Sequence, residues 1–272
     1  VPNPWSDLDR PPLVTRDLVA ALVRPGEFWS TLQVVEQTGS TNTDLLAAAA
    51  GGAPEGAVLV AESQSAGHGR LDRQWISPPR SGLTFSVLLH PGVPPASWGW
   101  LPLLAGLAVQ RAVHRMAELD VALKWPNDLL LGPERRKGAG ILAQAAGQAV
   151  VIGVGLNVST RQEELPRPDA TSLALEQAAC TDRDPLLRAI LRQLAGDYAQ
   201  WRAAGGDPVA SGLHAAYTEV CDTLGREVAV SLPGEDRLEG IATGIDADGR
   251  LVLRAGDGGQ RAVAAGDVVH LR

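Results

Sequence analysis

The stretch that most narrows the possible folds is an apolar run, Ala57-Val58-Leu59-Val60-Ala61, which passes without a break into the glycine-punctuated segment ESQSAGHGRLDRQW, Glu62–Trp75. Five apolar residues bounded by polar chemistry read as a buried strand. A loop leaving such a strand stands at the end of a sheet, where ligands are commonly held. Gly67 and Gly69 let backbone N–H groups approach an anion closely, and Arg70 and Arg73 add permanent planar charge. Taken alone the segment also suits an ordinary surface loop, so the rest of the chain has to decide.

With 272 residues, 45% of them hydrophobic, the chain can build one large core and a small second domain. A net charge of −7 argues against direct nucleic-acid binding, which needs a basic face. An anionic small molecule would therefore have to be held by local cations. The chain has two lysines among its 24 basic residues, Lys124 and Lys137, and both sit in polar motifs. Three of the four asparagines, Asn42, Asn127 and Asn157, do the same, which suggests that chemistry retains them. Cys180 and Cys221 lie far apart without metal-ligand spacing and read as buried thiols of a reducing cytoplasm. No apolar run approaches the roughly twenty residues of a membrane span, and no signal peptide is visible. His90, His114, His214 and His270 show no ligand spacing.

In chain order, Pro-rich residues 1–12 read as irregular and poorly ordered, and Thr15 or Asp17 can cap a short helix through Val23. That is too little for a helix-turn-helix, so no DNA-binding or repressor role is expected. Leu32–Glu36 reads as a strand leading through Gly39-Ser40-Thr41-Asn42 to a helix, Leu45–Ala50. Ser, Thr and Asn there are helix-capping residues, and they can equally present hydroxyls and an amide to a polar ligand. Leu83–His90 alternates as a strand, and Trp98–Leu119 is a long helix with a core stripe at Leu101, Leu104, Ala108 and Val109. Strands at Val121–Trp125 and Leu129–Leu131 flank Pro126-Asn127-Asp128; a hairpin follows from Lys137–Gln144 and Ala149–Leu156, with small residues at 138–140 that permit close approach. Thr171–Ala179, Asp184–Ala203 and Leu213–Cys221 read as helices without evident chemistry. From about Thr223, short strands separated by Pro233–Asp236, Asp246–Gly249 and Asp257–Gly259 turns suggest a compact β module, with Val228/Val230, Ile241/Ile245, Leu251/Leu253 and Val268/Val269 as its core and no catalytic motif.

The polar clusters thus comprise two lysines, two arginines, one acid and several neutral donors. No Ser-His-Asp order, Walker P-loop or dinucleotide GxGxxG is present. Such an inventory suits two anions brought together, a carboxylate and a polyphosphate, with a carboxylate to spare for Mg²⁺. Fixed cations that tighten on the transition state would supply most of the rate. The residues by themselves specify a phosphate-handling or carboxylate-activating α/β enzyme.

Five of these segments, in order over residues 39–157, resemble the signature of biotin protein ligases. Gly67–Trp75 is similar to that family's GRGRxxRxW loop and Lys124-Trp125-Pro126-Asn127-Asp128 to its KWPND. Lys137–Leu142 corresponds to KxAGIL, Gly153–Asn157 to GxGxN and Gly39–Asn42 to (G/D)STN. The resemblance implies an α+β architecture: a mixed and antiparallel sheet flanked by helices over 31–221, preceded by a segment with a short helix over 1–30. An SH3-like β-barrel would follow over 222–272.

The implied reaction forms biotinyl-5′-AMP and pyrophosphate from biotin and MgATP. Biotin then passes to a lysine of the biotin carboxyl-carrier domain of acetyl-CoA carboxylase or a related acyl-CoA carboxylase. Carried over residue by residue, Ser40, Thr41, Asn42, Gln64, Gly67, His68, Gly69, Arg70 and Lys137 would bind biotin. Arg70, Arg73, Trp75, Lys124, Asn127, Asp128, Lys137 and Asn157 would bind ATP or the adenylate. Arg70, Lys137, Lys124 and Asp128 are the catalytic candidates, and Asp128 the Mg²⁺ ligand. His68 departs from the family arginine and exchanges a permanent charge for a pH-dependent one. The resemblance also implies a ligase without its own repressor activity. The alternatives are a lipoate or octanoate ligase of the same superfamily and a biotin-binding module that does not transfer.

Overall fold

The computed structural model describes residues 10–71, 73–231, 237–264 and 266–271. Most of residues 1–12, the 233–236 turn and Asp72 therefore lie outside the described residues.

The main sheet has seven strands: β1 (Thr31–Val35), β2 (Ala57–Ala61), β3 (Gly82–Leu89), β4 (Val121–Lys124), β5 (Asp128–Leu131), β6 (Arg136–Ala146) and β7 (Ala149–Asn157). Their order is β1-β2-β3-β7-β6-β5-β4, parallel at β1/β2 and antiparallel elsewhere. Placing β7 beside β3 closes a long connection, and five strand pairs are neighbours in sequence as well as in space.

The period-two alternation of these strands sorts the two faces. On β7, Val150, Ile152, Val154 and Leu156 join the large core, packed beneath helices α3 (Leu101–Ala117) and α4 (Arg183–Ala203). Ala149 and Val151 point the other way, into a smaller cluster with Leu45, Leu59 and Leu88 under helix α2 (Thr41–Ala50). Gly153, Gly155 and Asn157 continue on that second face, beyond the end of α2. The register aligns them with Ser86, Thr84 and Gly82 of β3, and Gly153 and Gly155 with Leu142 and Gly140 of β6; Gly140 in turn faces Asp128 of β5. One sheet face is thus fully covered by helices and the other only half covered.

The described residues ahead of β1 form helix α1 (Thr15–Leu22), packed on α4. Its N-cap is Val14 with no side-chain cap, so neither Thr15 nor Asp17 plays the expected part. The chain end there is tied instead by Glu62, whose Oε1 accepts from Leu13 N at 2.5 Å. Glu62 also pairs with Arg183 (Nη1–Oε2 2.5 Å), the two side chains being 2% and 6% exposed, while Arg183 donates to Pro11 O and Gly82 O. A buried pair whose remaining donors are satisfied by carbonyls is the form in which such charges are tolerated.

Further sequence expectations change. Thr171–Ala179 is a run of turns, because its backbone bonds cross to Lys137, Asn157 and Val158 instead of closing a helix. Trp98–Leu119 divides into a 3₁₀ turn through Trp100 and then α3, buried on nearly all sides and not on one stripe alone. Cys221 is buried but Cys180 is only half-buried, and both are free thiols.

Helix α5 (Leu213–Val220) leads to a second, antiparallel sheet of β8 (Glu227–Ser231), β9 (Leu238–Ile245), β10 (Leu251–Arg254), β11 (Gln260–Val263) and β12 (Asp267–His270), in the order β11-β10-β9-β8-β12. Among the described residues no β11–β12 pairing closes it into the expected barrel. Ile241 and Val269 are 37% and 50% exposed, not core. A register shift between Val252 and Leu253 pairs Leu253 with Ala242, and it is Ala242 that turns inward with Ile245. This sheet shares the large core with the first.

Candidate functional site

The uncovered half of the main sheet is the floor of a cavity. Ser40, Thr41, Asn42, Gln64, His68, Gly69, Arg70, Arg73, Trp75, Lys124, Asn127, Asp128, Lys137 and Asn157 all line it. Of the sequence candidates only Gly67 stays out: it is buried under the loop, where its carbonyl accepts from Trp75 N at 2.9 Å.

One end is neutral and hydrogen-bonded. Ser40 caps α2, its Oγ accepting from Thr43 N at 3.5 Å, so α2 starts four residues earlier than its apolar pattern suggests. Thr41 N donates to Gln64 Oε1 at 2.8 Å, and Thr41 Oγ1 lies 2.7 Å from Ser86 Oγ. Ser86 donates to Asn42 Oδ1 at 2.6 Å, and Asn42 Nδ2 donates to Gln144 Oε1 at 2.8 Å. Gly153 is required beneath this chain, since a Cβ there would meet Asn42 Cγ at 2.9 Å and Oδ1 closer still. Ser86 and Gln144 were not singled out from the sequence; the available signal was a serine inside the otherwise apolar strand Phe85–Leu89.

The other end is charged. Lys137 Nζ lies 2.5 Å from Asp128 Oδ1, with the side chains 27% and 19% exposed. Arg70 Nη1 donates to Asn127 Oδ1 at 3.3 Å, which ties the glycine loop to the Lys124–Asp128 turn; Asn127 Nδ2 in turn donates to Ile141 O at 3.1 Å. The described lining carries five permanent cations, Arg70, Arg73, Lys124, Lys137 and Arg167, against one carboxylate, Asp128. In a chain of net charge −7 this is a local concentration of positive charge suited to an anion. Asn157 lines the cavity, yet its amide donates to Thr171 O at 3.0 Å, where it pins the 171–173 turns.

Trp75 roofs the middle. Its indole lies over Gly140 and Gly155, and its buried Nε1 has no hydrogen-bond partner. His68, where the resemblance has an arginine, is exposed at the rim and bridges to Gln74 across the base of the loop. The β module contributes after all, since Gly266 and Val268 belong to the cavity wall. No motif announced them. Among the described residues no cluster of three or more His, Cys, Asp or Glu could cage a metal ion.

Residues 34–157 match the biotin/lipoate A/B protein ligase family, which leaves biotin and lipoate chemistry both open. Residues 223–271 match the biotin protein ligase C-terminal domain. The biotin–[acetyl-CoA-carboxylase] ligase of Mycobacterium tuberculosis is 46% identical over 268 residues, 97% of either chain. The chain belongs to the biotin protein ligases. The bifunctional ligase/repressor BirA of Escherichia coli is 30% identical over 82% of this chain and 68% of its own length. Among solved structures, the biotin protein ligase from Aquifex aeolicus in complex with biotin and ATP superposes with a TM-score of 0.73 at 27% identity, covering 90% of this chain and all of that one. These biotin protein ligases share the α+β sheet and the C-terminal antiparallel domain found here. ATP-dependent biotin ligation is the chemistry of the group, and no helix among the described residues is long and apolar enough to cross a membrane.

Proposed function

We propose that this cavity joins the two substrates of biotin ligation end to end, with the neutral network around Ser40, Thr41, Asn42 and Gln64 holding the ureido ring and the cation end holding the reacting anions. The supporting observation is the bipartite lining: paired neutral donors and acceptors at one end, five cations and one carboxylate at the other, and between them a floor of Gly140, Gly153 and Gly155. A ureido group offers two N–H donors and a strong carbonyl acceptor, which hydroxyls and amides can match without charge. Gly140 and Gly155 seat the Trp75 indole and Gly153 seats Asn42, so an aliphatic chain would run beside these side chains and link the two ends.

In the first step a biotin carboxylate oxygen attacks the α-phosphorus of ATP. A P–O bond forms, the α–β bridging bond breaks, and pyrophosphate leaves with both its electrons. Arg70, Lys124 and Lys137 offset the repulsion between the two anions, each such preorganised donor being worth about 2–4 kcal/mol. Asp128, the one acid in the described lining, is the residue that would hold Mg²⁺ carried by the nucleotide, which would neutralise phosphate charge and needs only one or two protein carboxylates. Arg73, Asn127 and Trp75 complete the nucleotide side, with Asn157 bracing the turns beside it. His68 and Gly69 keep the loop at the rim, while Gly67 and the indole close its base and shield the anhydride from water.

In the second step the ε-amine of a carrier lysine attacks the anhydride carbonyl, an amide forms, and AMP departs. The acceptor is the carboxyl-carrier domain of an acyl-CoA carboxylase, in keeping with the mycobacterial relative, a biotin–[acetyl-CoA-carboxylase] ligase. Two unpaired cysteines fit work in a reducing cytoplasm. The test is biotin-dependent exchange of labelled pyrophosphate into ATP: the reading requires it, and exchange supported by lipoate but not biotin would replace biotin with lipoate.

A further inference from the structure

The Lys124–Asp128 turn belongs to the main sheet but is also held from the second, by the segment ahead of β8 and the turn between β9 and β10. Asp222 N donates to Leu123 O at 2.8 Å, and the indole Nε1 of the buried Trp125 donates to Gly249 O at 3.0 Å. Between these, Trp125 N donates to the fully buried Thr223 Oγ1 at 3.0 Å. The next residue, Pro126, has no N–H, so Trp125 N is the last backbone donor before the turn.

The Thr223 hydroxyl has a second neighbour, His270 Nε2 at the end of β12, 3.1 Å away. A hydroxyl carries one proton. With its oxygen accepting from Trp125, that proton is available to His270, provided Nε2 carries none. Burial, helped by the Lys124 and Arg226 cations, pushes the imidazole down to about 4, so the ring is neutral, and the Asp222 carboxylate, whose Oδ2 lies 3.7 Å from Nδ1, favours the tautomer that carries its proton on Nδ1 and leaves Nε2 to accept. Asp222 is itself shared with Arg226 and Arg135. One hydroxyl therefore links the strand that supplies Val268 to the cavity wall with the backbone that carries Lys124, Asn127 and Asp128.

We propose that Thr223 is a positioning residue for nucleotide activation, its hydroxyl oriented by His270 so that it fixes the Trp125 backbone and sets Lys124, Asn127 and Asp128 against ATP. This rests on the assignment of those three residues to the nucleotide end. The neutral biotin end is held by a separate set of bonds on α2, β3 and β6, so the two affinities should respond differently.

The full chain is compared with its Thr223→Val and Thr223→Ser variants by pyrophosphate exchange and by calorimetric titration with biotin alone. Val keeps the shape and removes the acceptor; the KM for ATP should rise about tenfold while the Kd for biotin stays within about twofold, and Ser should restore the KM for ATP. An unchanged KM for ATP, or a loss in which ATP, biotin and thermal midpoint fall together without rescue by Ser, overturns the proposal. Should Thr223→Val fail to fold, His270→Leu removes the orienting acceptor near the surface and should still raise the KM for ATP about threefold; a folded His270→Leu with unchanged KM also overturns it. Absence of exchange in the wild-type protein overturns the ligase reading itself, before any variant is compared.

Discussion

Gly155→Ala isolates the contribution of the tryptophan roof. An alanine Cβ there would lie 2.5 Å from Trp75 Nε1 and 2.6 Å from Cζ2, whereas carbon atoms in contact prefer about 3.5–4.0 Å. The strand itself accepts alanine readily, since Gly155 is not among the positive-φ glycines and glycine weakens a strand. The indole must therefore retreat by roughly 1 Å. Trp75 is only half-buried on a loop, so the fold can absorb this, while the closed loop cannot. Overpacking of this size costs about 1–3 kcal/mol, equivalent to roughly 5- to 150-fold in the closed-loop equilibrium. The assay is the dissociation rate of biotinyl-5′-AMP from the loaded protein, which should rise by that factor with little change in thermal midpoint. Trp75→Ala provides the control: if the indole is what the methyl strikes, Gly155→Ala should be nearly silent in that background. Equal damage with and without Trp75 would refute the reasoning.

Lys137→Ala should lower adenylate formation by roughly 10²–10³ in turnover, measured by single-turnover kinetics, because a cation aimed at the reacting anions is lost. Its thermal midpoint should barely move, since the pair with Asp128 is partly exposed and such pairs add little stability. Arg183→Met leaves Glu62 buried without its cation and should cost about 3–5 kcal/mol in denaturant unfolding; adding Glu62→Gln should recover part of it. His270 titrates near 6.5 in the unfolded chain and at about 4 when folded, so between these values the unfolded chain binds more protons. The associated stability is complete above pH 6.5 and lost as pH falls toward 4, amounting to roughly 1–2 kcal/mol once the ring's residual solvent contact is discounted. The thermal midpoint of the wild type should therefore drop more between pH 7 and 4.5 than that of His270→Gln.

How much of this was readable in the sequence depended on whether the signal was local. Ala57–Ala61 is a buried strand, and the segment after it reaches the site, because an unbroken apolar run and paired glycines each act within a few residues. The motif residues converge because the register of β3, β7, β6 and β5 sets Thr84, Gly155, Gly140 and Asp128 side by side. What escaped was non-local. Nothing near Thr171–Ala179 says that its backbone bonds will go to Lys137 and Val158, so its helical composition misleads. The turn-and-strand pattern of the last fifty residues shows a β module, but Val268 at the cavity wall and Thr223 on Trp125 follow from how that module packs. The alternation that placed Ile241 in its core failed at a bulge, where one extra residue reverses inside and outside, while Val269 follows the inward Val268 on a regular strand and so faces out.

The most direct test of the central claim is mass spectrometry, under non-denaturing conditions, of the wild-type protein after incubation with biotin and MgATP. The two-ended cavity predicts a bound species with the mass of biotinyl-5′-AMP, formed in stoichiometric amount, and strongly reduced after the same short incubation in Lys137→Ala. Biotin retained without the adenylate, in a protein that also binds ATP, would contradict it and leave a binding module in place of a ligase.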